Sequence, residues 1–261
     1  MKQISGSEAL QILAQNGPEC MIASDTLGYL LKNKESVPCY WDDTCVIFVD
    51  QSTETDLVTV VPLAHTFDSK ALVNILNQGK ANSGVLIDTQ KLSEAFLTSL
   101  DLELRDFLKY ERTFEDLMYP SKEPIDGVFD NVRLLDSEDI ELFAAVSSES
   151  IVNRPPLRVL FDVFVTNKQG FILGAFEEGH IVGYLSFFQM LPGVFDVDYI
   201  YISPSKRGLG IGTALGNAYI KYAQDRNQIA YWSNAQNDAS KATALSCGFQ
   251  VVRQAKKYIK D

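Results

Sequence analysis

The stretch Val197-Asp-Tyr-Ile-Tyr-Ile-Ser-Pro-Ser-Lys-Arg-Gly-Leu-Gly-Ile-Gly-Thr-Ala-Leu215 constrains the fold of this chain more than any other. A run rich in β-formers stops at Pro204, a loop carries Arg207, and Gly208, Gly210 and Gly212 lead into a helix. Glycine inside a helix costs up to ~1 kcal/mol against alanine, so three at a helix start call for a functional reason. Small residues let the backbone come close to a bound group. Successive N–H groups at a helix start form an anion cradle that the helix dipole strengthens. The segment suits a pyrophosphate.

Two familiar phosphate loops fit it poorly. A P-loop needs G-x-x-x-x-G-K-[ST], and no such lysine follows these glycines. A dinucleotide-binding loop can be laid on Gly210, Gly212 and Gly216, but it should follow the first strand of a repeating βαβ unit. Here an antiparallel hairpin is expected to precede it, from Phe171–Glu177, a turn at Glu178-Gly179, and Ile181–Met190. Upstream, Asn131–Leu135 reads as a strand and Asp136–Ser150 as a helix with acids in its first turn. Asn153–Thr166 reads as a second helix, with Pro155-Pro156 near its start. Val194–Ser203 is expected as a strand and Gly210–Arg226 as a long helix. Ile229–Asn234, Ala239–Cys247 and Phe249–Ile259 then read as strand, helix and final strand. The expected order is β-α-α-β-β-β-α-β-α-β.

With that order, Arg207-x-x-Gly210-x-Gly212 resembles the pyrophosphate loop of the GNAT superfamily of N-acetyltransferases, (Gln/Arg)-x-x-Gly-x-(Gly/Ala) between the fourth strand and third helix. Asn237-Asp-Ala-Ser240 followed by Cys247-Gly248-Phe249 is similar to the family's closing segment. Trp232 is similar to the tryptophan that one branch of the family carries in the fifth strand, together with Ser at the second position of that segment. The resemblance covers about residues 131–261.

The resemblance implies acetyl-CoA as co-substrate, a primary amine as acceptor, and direct attack in a ternary complex. It assigns the pyrophosphate to the backbone N–H groups of Arg207, Gly208, Leu209, Gly210, Ile211 and Gly212, with the Thr213 hydroxyl as a further donor. Ile200 and Ile202 fall where the fourth strand offers backbone groups to the pantetheine arm, and an N–H near Ile202 would face the thioester oxygen. Asn237 reads equally as a pantetheine contact and as a helix cap. Asp196, four residues before Ile200, stands where several members keep a catalytic Glu. Asp198 shares its strand face unless the strand is bulged. Many members place Tyr four residues before the closing Gly-Phe to protonate the thiolate, but this chain has Ala244 there. Tyr201, Tyr199 and Tyr231 are the substitute hydroxyls. Cys247 reads as a buried helix-end cysteine rather than an acyl carrier, because neither His65 nor His180 is near it in sequence. A non-catalytic acyl-CoA-binding regulatory module is the alternative to an enzyme. A nucleotide-binding oxidoreductase is a weaker one.

Charge divides the chain. Residues 1–130 hold 10 Lys+Arg against 21 Asp+Glu, while residues 131–261 hold 13 of each. Such an acidic first half argues against nucleic acid and anionic lipid as partners, and chiefly serves solubility. Tyr119-Pro-Ser-Lys-Glu-Pro-Ile-Asp-Gly127 reads as a linker near 120–130. Before it, Ser7–Gln15, Ser69–Asn77 and Ser93–Leu100 read as helices, and Cys45–Asp50, Leu57–Pro62 and Gly84–Asp88 as strands. The expectation is an α/β (α+β) protein of two domains. Residues 1–125 form a smaller α/β domain of unknown role, with a faint likeness to a degenerate second GNAT unit. Residues 131–261 form the GNAT domain, a mixed, mostly antiparallel sheet flanked by helices. No secretory signal, membrane span or metal set is read from it, and Cys20, Cys39, Cys45 and Cys247 show no C-x-x-C spacing. A cytoplasmic protein with reduced cysteines is the resulting expectation. Homodimerisation is left open.

Overall fold

The computed structural model describes residues 1–16, 37–50, 57–78, 84–120, 131–146, 157–191, 193–233, 235 and 237–259. The expected linker, Pro155-Pro156, Cys20 and Asn234 lie outside the described residues, save Tyr119 and Pro120. The chain forms two compact units, one of residues 1–115 with 252–261 and one of residues 116–251. The last strand, read from sequence with the carboxy-terminal domain, is thus part of the first unit. No helix among the described residues is long and apolar enough to cross a membrane.

The second unit carries strands β7 (Val132–Leu134), β8 (Phe171–Glu177), β9 (His180–Leu191), β10 (Val194–Ile202) and β11 (Ile229–Trp232). β7, β8, β9 and β10 pair antiparallel in sequence order, β10 pairs parallel with β11, and β11 pairs antiparallel with the end of β6 (Lys109–Met118). One face of this sheet is covered by helices α6 (Ile211–Gln224) and α7 (Asp238–Ser246). Their apolar sides bury Leu215, Tyr219, Ala223 and Ala244 against Leu185, Phe187, Phe195 and Val197. The other face packs Tyr184 and Tyr201 against α4 (Ile140–Ala144) and α5 (Leu157–Phe161) through Phe143, Leu160 and Phe161.

Two expected helices depart from regular α-geometry within their described residues. The segment read as Asp136–Ser150 opens with a 3-10 turn at Ser137–Asp139, because the Asp136 carboxylate accepts the Glu138 N–H at 2.9 Å and tightens the start. The segment read to Thr166 turns π-helical over Asp162–Thr166, with Asn167 N–H reaching Asp162 O at 2.8 Å.

The first unit repeats the same strand plan. β1 (Lys2–Ile4), β2 (Cys39–Asp42), β3 (Cys45–Asp50) and β4 (Leu57–Pro62) pair antiparallel in order. β4 pairs parallel with β5 (Gly84–Asp88), and β5 pairs antiparallel with β12 (Gln250–Ile259). Helix α1 (Gly6–Gln15) is opened by a reciprocal cap between Ser5 and Glu8. Helices α2 (Ser69–Gln78) and α3 (Glu94–Leu104) follow β4 and β5, as α6 and α7 follow β10 and β11. In each unit the strand beside the parallel pair comes from the other half of the sequence. β1, β2 and β6 are not legible in the sequence, because β1 and β2 are short and β6 mixes charge with half-burial.

Candidate active site

Strands β10 and β11 begin as neighbours and then part. Their pairing runs from Val194–Ile229 through Asp196–Tyr231, while β10 continues to Ile202. The opening is a groove of about 680 Å³ lined by β10 residues Tyr199 to Ile202, the loop after β10, and the first turns of α6 and α7.

Two features of β10 point it at the groove. Its pairing with β9 is offset between Val197 and Tyr199, a β-bulge. Beyond the bulge, the Ser203 N–H donates to Val182 O at 2.9 Å, so Ser203 and Tyr201 direct their backbone groups at β9. By antiparallel alternation, Ile200 and Ile202 direct theirs to the open side. Their side chains meanwhile pack on the core under α6.

The loop is shaped for close approach. Gly208 and Gly210 hold φ of +75° and +80°, the left-handed region that a side chain strains. Gly210 caps α6, and no side chain bonds the helix start. Among the described residues, no hydrogen bond uses the N–H of residues 208–213. Among the described residues, Lys206 and Arg207 line the groove and no carboxylate does. Lys206 pairs with Glu177, and Arg207 Nε donates to Ile202 O at 3.2 Å, which ties the loop to the strand end. Gly212 lies against α7, where an added Cβ would meet Thr243 Cγ2 at 3.1 Å.

Each residue singled out in the sequence has a definite place. Ile200, Tyr201, Ile202, Arg207, Gly208, Gly210, Ile211, Gly212, Thr213 and Asn237 line the groove. Leu209 does not, being 67% exposed. The Thr213 hydroxyl lies 2.9 Å from Ser246 Oγ, whose own proton goes to Thr243 O, so Thr213 is the donor of that pair. Its hydroxyl is engaged, and its backbone N–H is the group left for a ligand. The Asn237 Oδ1 accepts the Ser240 N–H at 2.8 Å as the cap of α7. The cap leaves Asn237 Nδ2 as its remaining polar group. Capping and ligand contact are therefore compatible, whereas the sequence alone set them against each other.

The acidic candidates separate. Asp196 is 0% exposed, and its two oxygens accept the Ser233 N–H at 2.9 Å and the Ser233 hydroxyl at 2.7 Å. It is not part of the groove wall. Asp198 is half-buried and accepts the Ser186 hydroxyl at 2.8 Å. Ser186 lies between Leu185 and Phe187, both packed under α6, so it and Asp198 lie on the opposite face with Tyr199 and Tyr201. Tyr201 is 3% exposed, and its hydroxyl has no hydrogen-bond partner among the described residues. Tyr231 is ruled out as the substitute hydroxyl, because it is buried and donates to Asp116 at 2.9 Å. Ala244 is fully buried in the core under α6. Cys247 is buried too, and burial pushes its thiol up to about 11, so it is a poor nucleophile at neutral pH. Among the described residues no group of three His, Cys, Asp or Glu could hold a metal.

The sequence reading passed over Ser240 and Thr243 as groove residues. Ser240 Oγ accepts the Trp232 Nε1–H at 3.2 Å, which leaves its own proton unassigned. Their positions three and six residues after Asn237, on one face at the start of the same helix, were the available signal.

A mixed sheet whose central parallel pair opens over a glycine-rich helix start is the architecture that the resemblance at 131–261 leads one to expect. Residues 137–249 match the family model described as "Acetyltransferase (GNAT) family". Solved structures agree in fold. An acetyltransferase from the GNAT family of Colwellia psychrerythraea is 14% identical, with a TM-score of 0.64 over 100% of this chain and 99% of its own. A GCN5-related N-acetyltransferase from Sphaerobacter thermophilus is 16% identical, with a TM-score of 0.62 over 99% and 95%. A tandem GNAT protein from the clavulanic acid biosynthesis pathway is 11% identical, with a TM-score of 0.59 over 98% and 94%. These likenesses include the first unit and show the fold. No curated protein matches the chain in sequence.

Proposed function

We propose that the groove binds acetyl-CoA and that the chain transfers the acetyl group to a primary amine by direct attack in a ternary complex. The observation that carries this reading is the uncommitted row of N–H groups at 208–213, in a groove with two cations and, among the described residues, no carboxylate. Such a row meets a diphosphate with donors and the positive end of a helix dipole. The open edge at Ile200 and Ile202 offers the pantetheine arm a strand to lie against, and Asn237 Nδ2 offers it a further donor.

In the reaction, the amine nitrogen attacks the thioester carbon and a C–N bond forms. The C–S bond then breaks, with its electron pair leaving on sulfur. An N–H near Ile202 stabilises the oxyanion. Asp198, on the face shared with Tyr199 and Tyr201, is the carboxylate that takes the amine proton through water. Tyr201 is the hydroxyl that donates to the departing sulfur in place of the tyrosine missing at position 244.

Calorimetry with acetyl-CoA tests the binding. Gly210→Glu puts a carboxylate at the cradle. An added Cβ meets nothing within 4 Å, but a side chain strains the backbone at φ +80°. A thermal melt of the variant therefore accompanies the titration to show that the fold is kept. Binding is expected in the wild type and lost in Gly210→Glu. No heat in the wild type, or full binding in the variant, sinks the reading. A screen for free CoA released in the presence of varied amines separates the enzyme from a module that only binds.

A further inference from the structure

The point where β10 and β11 separate is built from side chains that replace strand-to-strand hydrogen bonds. On the α6 side, the Tyr219 hydroxyl accepts the Tyr231 N–H at 3.0 Å and lies 2.7 Å from Phe195 O. It sits at the last rungs of the parallel ladder, Phe195–Ala230 and Asp196–Tyr231. One residue past the end of β11, the Ser233 N–H is taken by Asp196 Oδ1. In a continued parallel ladder that N–H would go to a backbone carbonyl of β10. Asp196 Oδ2 holds the Ser233 hydroxyl as well, so both carboxylate oxygens fix the first residue beyond β11. The contact is buried, with Asp196 fully so and Ser233 8% exposed.

We infer that Asp196 is a positioning residue, whose grip on Ser233 ends the ladder and sets the gap in which the acyl-CoA lies. This inference rests on the acetyl-CoA reading of the groove. It departs from the role that the family resemblance gives position 196, that of a proton-accepting carboxylate facing the substrate. A group with both oxygens bound inside a buried contact does not reach an incoming amine. A buried carboxylate holding a backbone N–H and a hydroxyl is well suited to fix the spacing of two strands.

The test uses Asp196→Asn and Ser233→Ala in the full chain. Asp196→Asn keeps the shape but removes the charge and replaces one acceptor by an N–H, so the Ser233 hydroxyl must turn to accept and both bonds lose their charge assistance. Ser233→Ala removes the hydroxyl alone. The dissociation constant for acetyl-CoA is expected to rise about tenfold or more in Asp196→Asn and a few-fold in Ser233→Ala. At saturating acetyl-CoA, kcat and the shape of its pH profile are expected to stay near those of the wild type. An unchanged dissociation constant, with kcat collapsed and the acid limb of the profile lost, overturns the inference in favour of a catalytic base. Should Asp196→Asn fail to fold, Ser233→Ala decides, and unchanged affinity there overturns the inference. Wild-type protein that binds no acetyl-CoA removes the acetyl-CoA reading and this inference together, whereas wild-type binding with unaffected variants removes only the inference.

Discussion

Tyr201 is the residue whose chemistry is most exposed to a direct check. A buried hydroxyl without a partner costs about 1–3 kcal/mol, so its removal should not weaken the fold. Tyr201→Phe is therefore expected to keep or raise the melting temperature. If the hydroxyl donates to the leaving sulfur, kcat should fall about a hundredfold, the low end of what a positioned proton donor supplies. Thermal melts and turnover on the same preparation check both. Unchanged turnover would return the role to Tyr199 or Ser240, two further hydroxyls of the groove wall. At this scale the sequence marked the strand that lines the groove but could not sort its acids. Asp196 and Asp198 look alike in a list of residues. Only packing shows that one is sealed against Ser233 while the other is half-buried.

Among elements, the start of the helical layer over β8 and β9 hangs on one ion pair. Arg133 of β7 grips the nearly buried Asp139 with two bonds of 2.6 and 2.7 Å, and Asp139 also accepts the Asp136 N–H at 3.0 Å. The Arg133 guanidinium, aided by that N–H, holds the Asp139 carboxyl below its ordinary value. A carboxylate so lowered adds stability that is present above its unfolded pKa and lost as pH falls through its folded one. Asp139→Asn should thus cost about 1–2 kcal/mol near pH 7, discounted because Arg133 is half exposed. The gap between wild type and variant should shrink as pH drops below about 4. Denaturant melts at several pH values measure it, and a gap that stays constant with pH contradicts the account. The sequence did show acids at this helix start, but it read one long helix where a 3-10 turn and a short helix stand.

Across the whole chain, two units share one strand plan but differ at the groove position. In the first unit β4 and β5 stay paired from Leu57–Gly84 through Val60–Ile87, and the Asp68 carboxylate takes the N–H groups of Lys70 and Ala71 at the start of α2. An acid seated on that helix start repels the anion that the start of α6 is free to take. Calorimetry should accordingly give one acetyl-CoA per chain, with nothing left in Gly210→Glu. A stoichiometry near two would show that the first unit is open. The sequence by itself determined the strand–loop–helix at 197–215, the hairpin before it and the likeness of residues 137–249 to the GNAT family model. Those signals are local, written in β-branched runs, turn residues and glycine spacing. The tertiary structure decided that the first unit repeats the second and that the chain's two halves exchange a strand. It also decided which acid is buried and where the two central strands part. Each of these depends on partners far apart along the chain, such as Asp196 with Ser233 or β5 with β12, and no local pattern encodes such pairings.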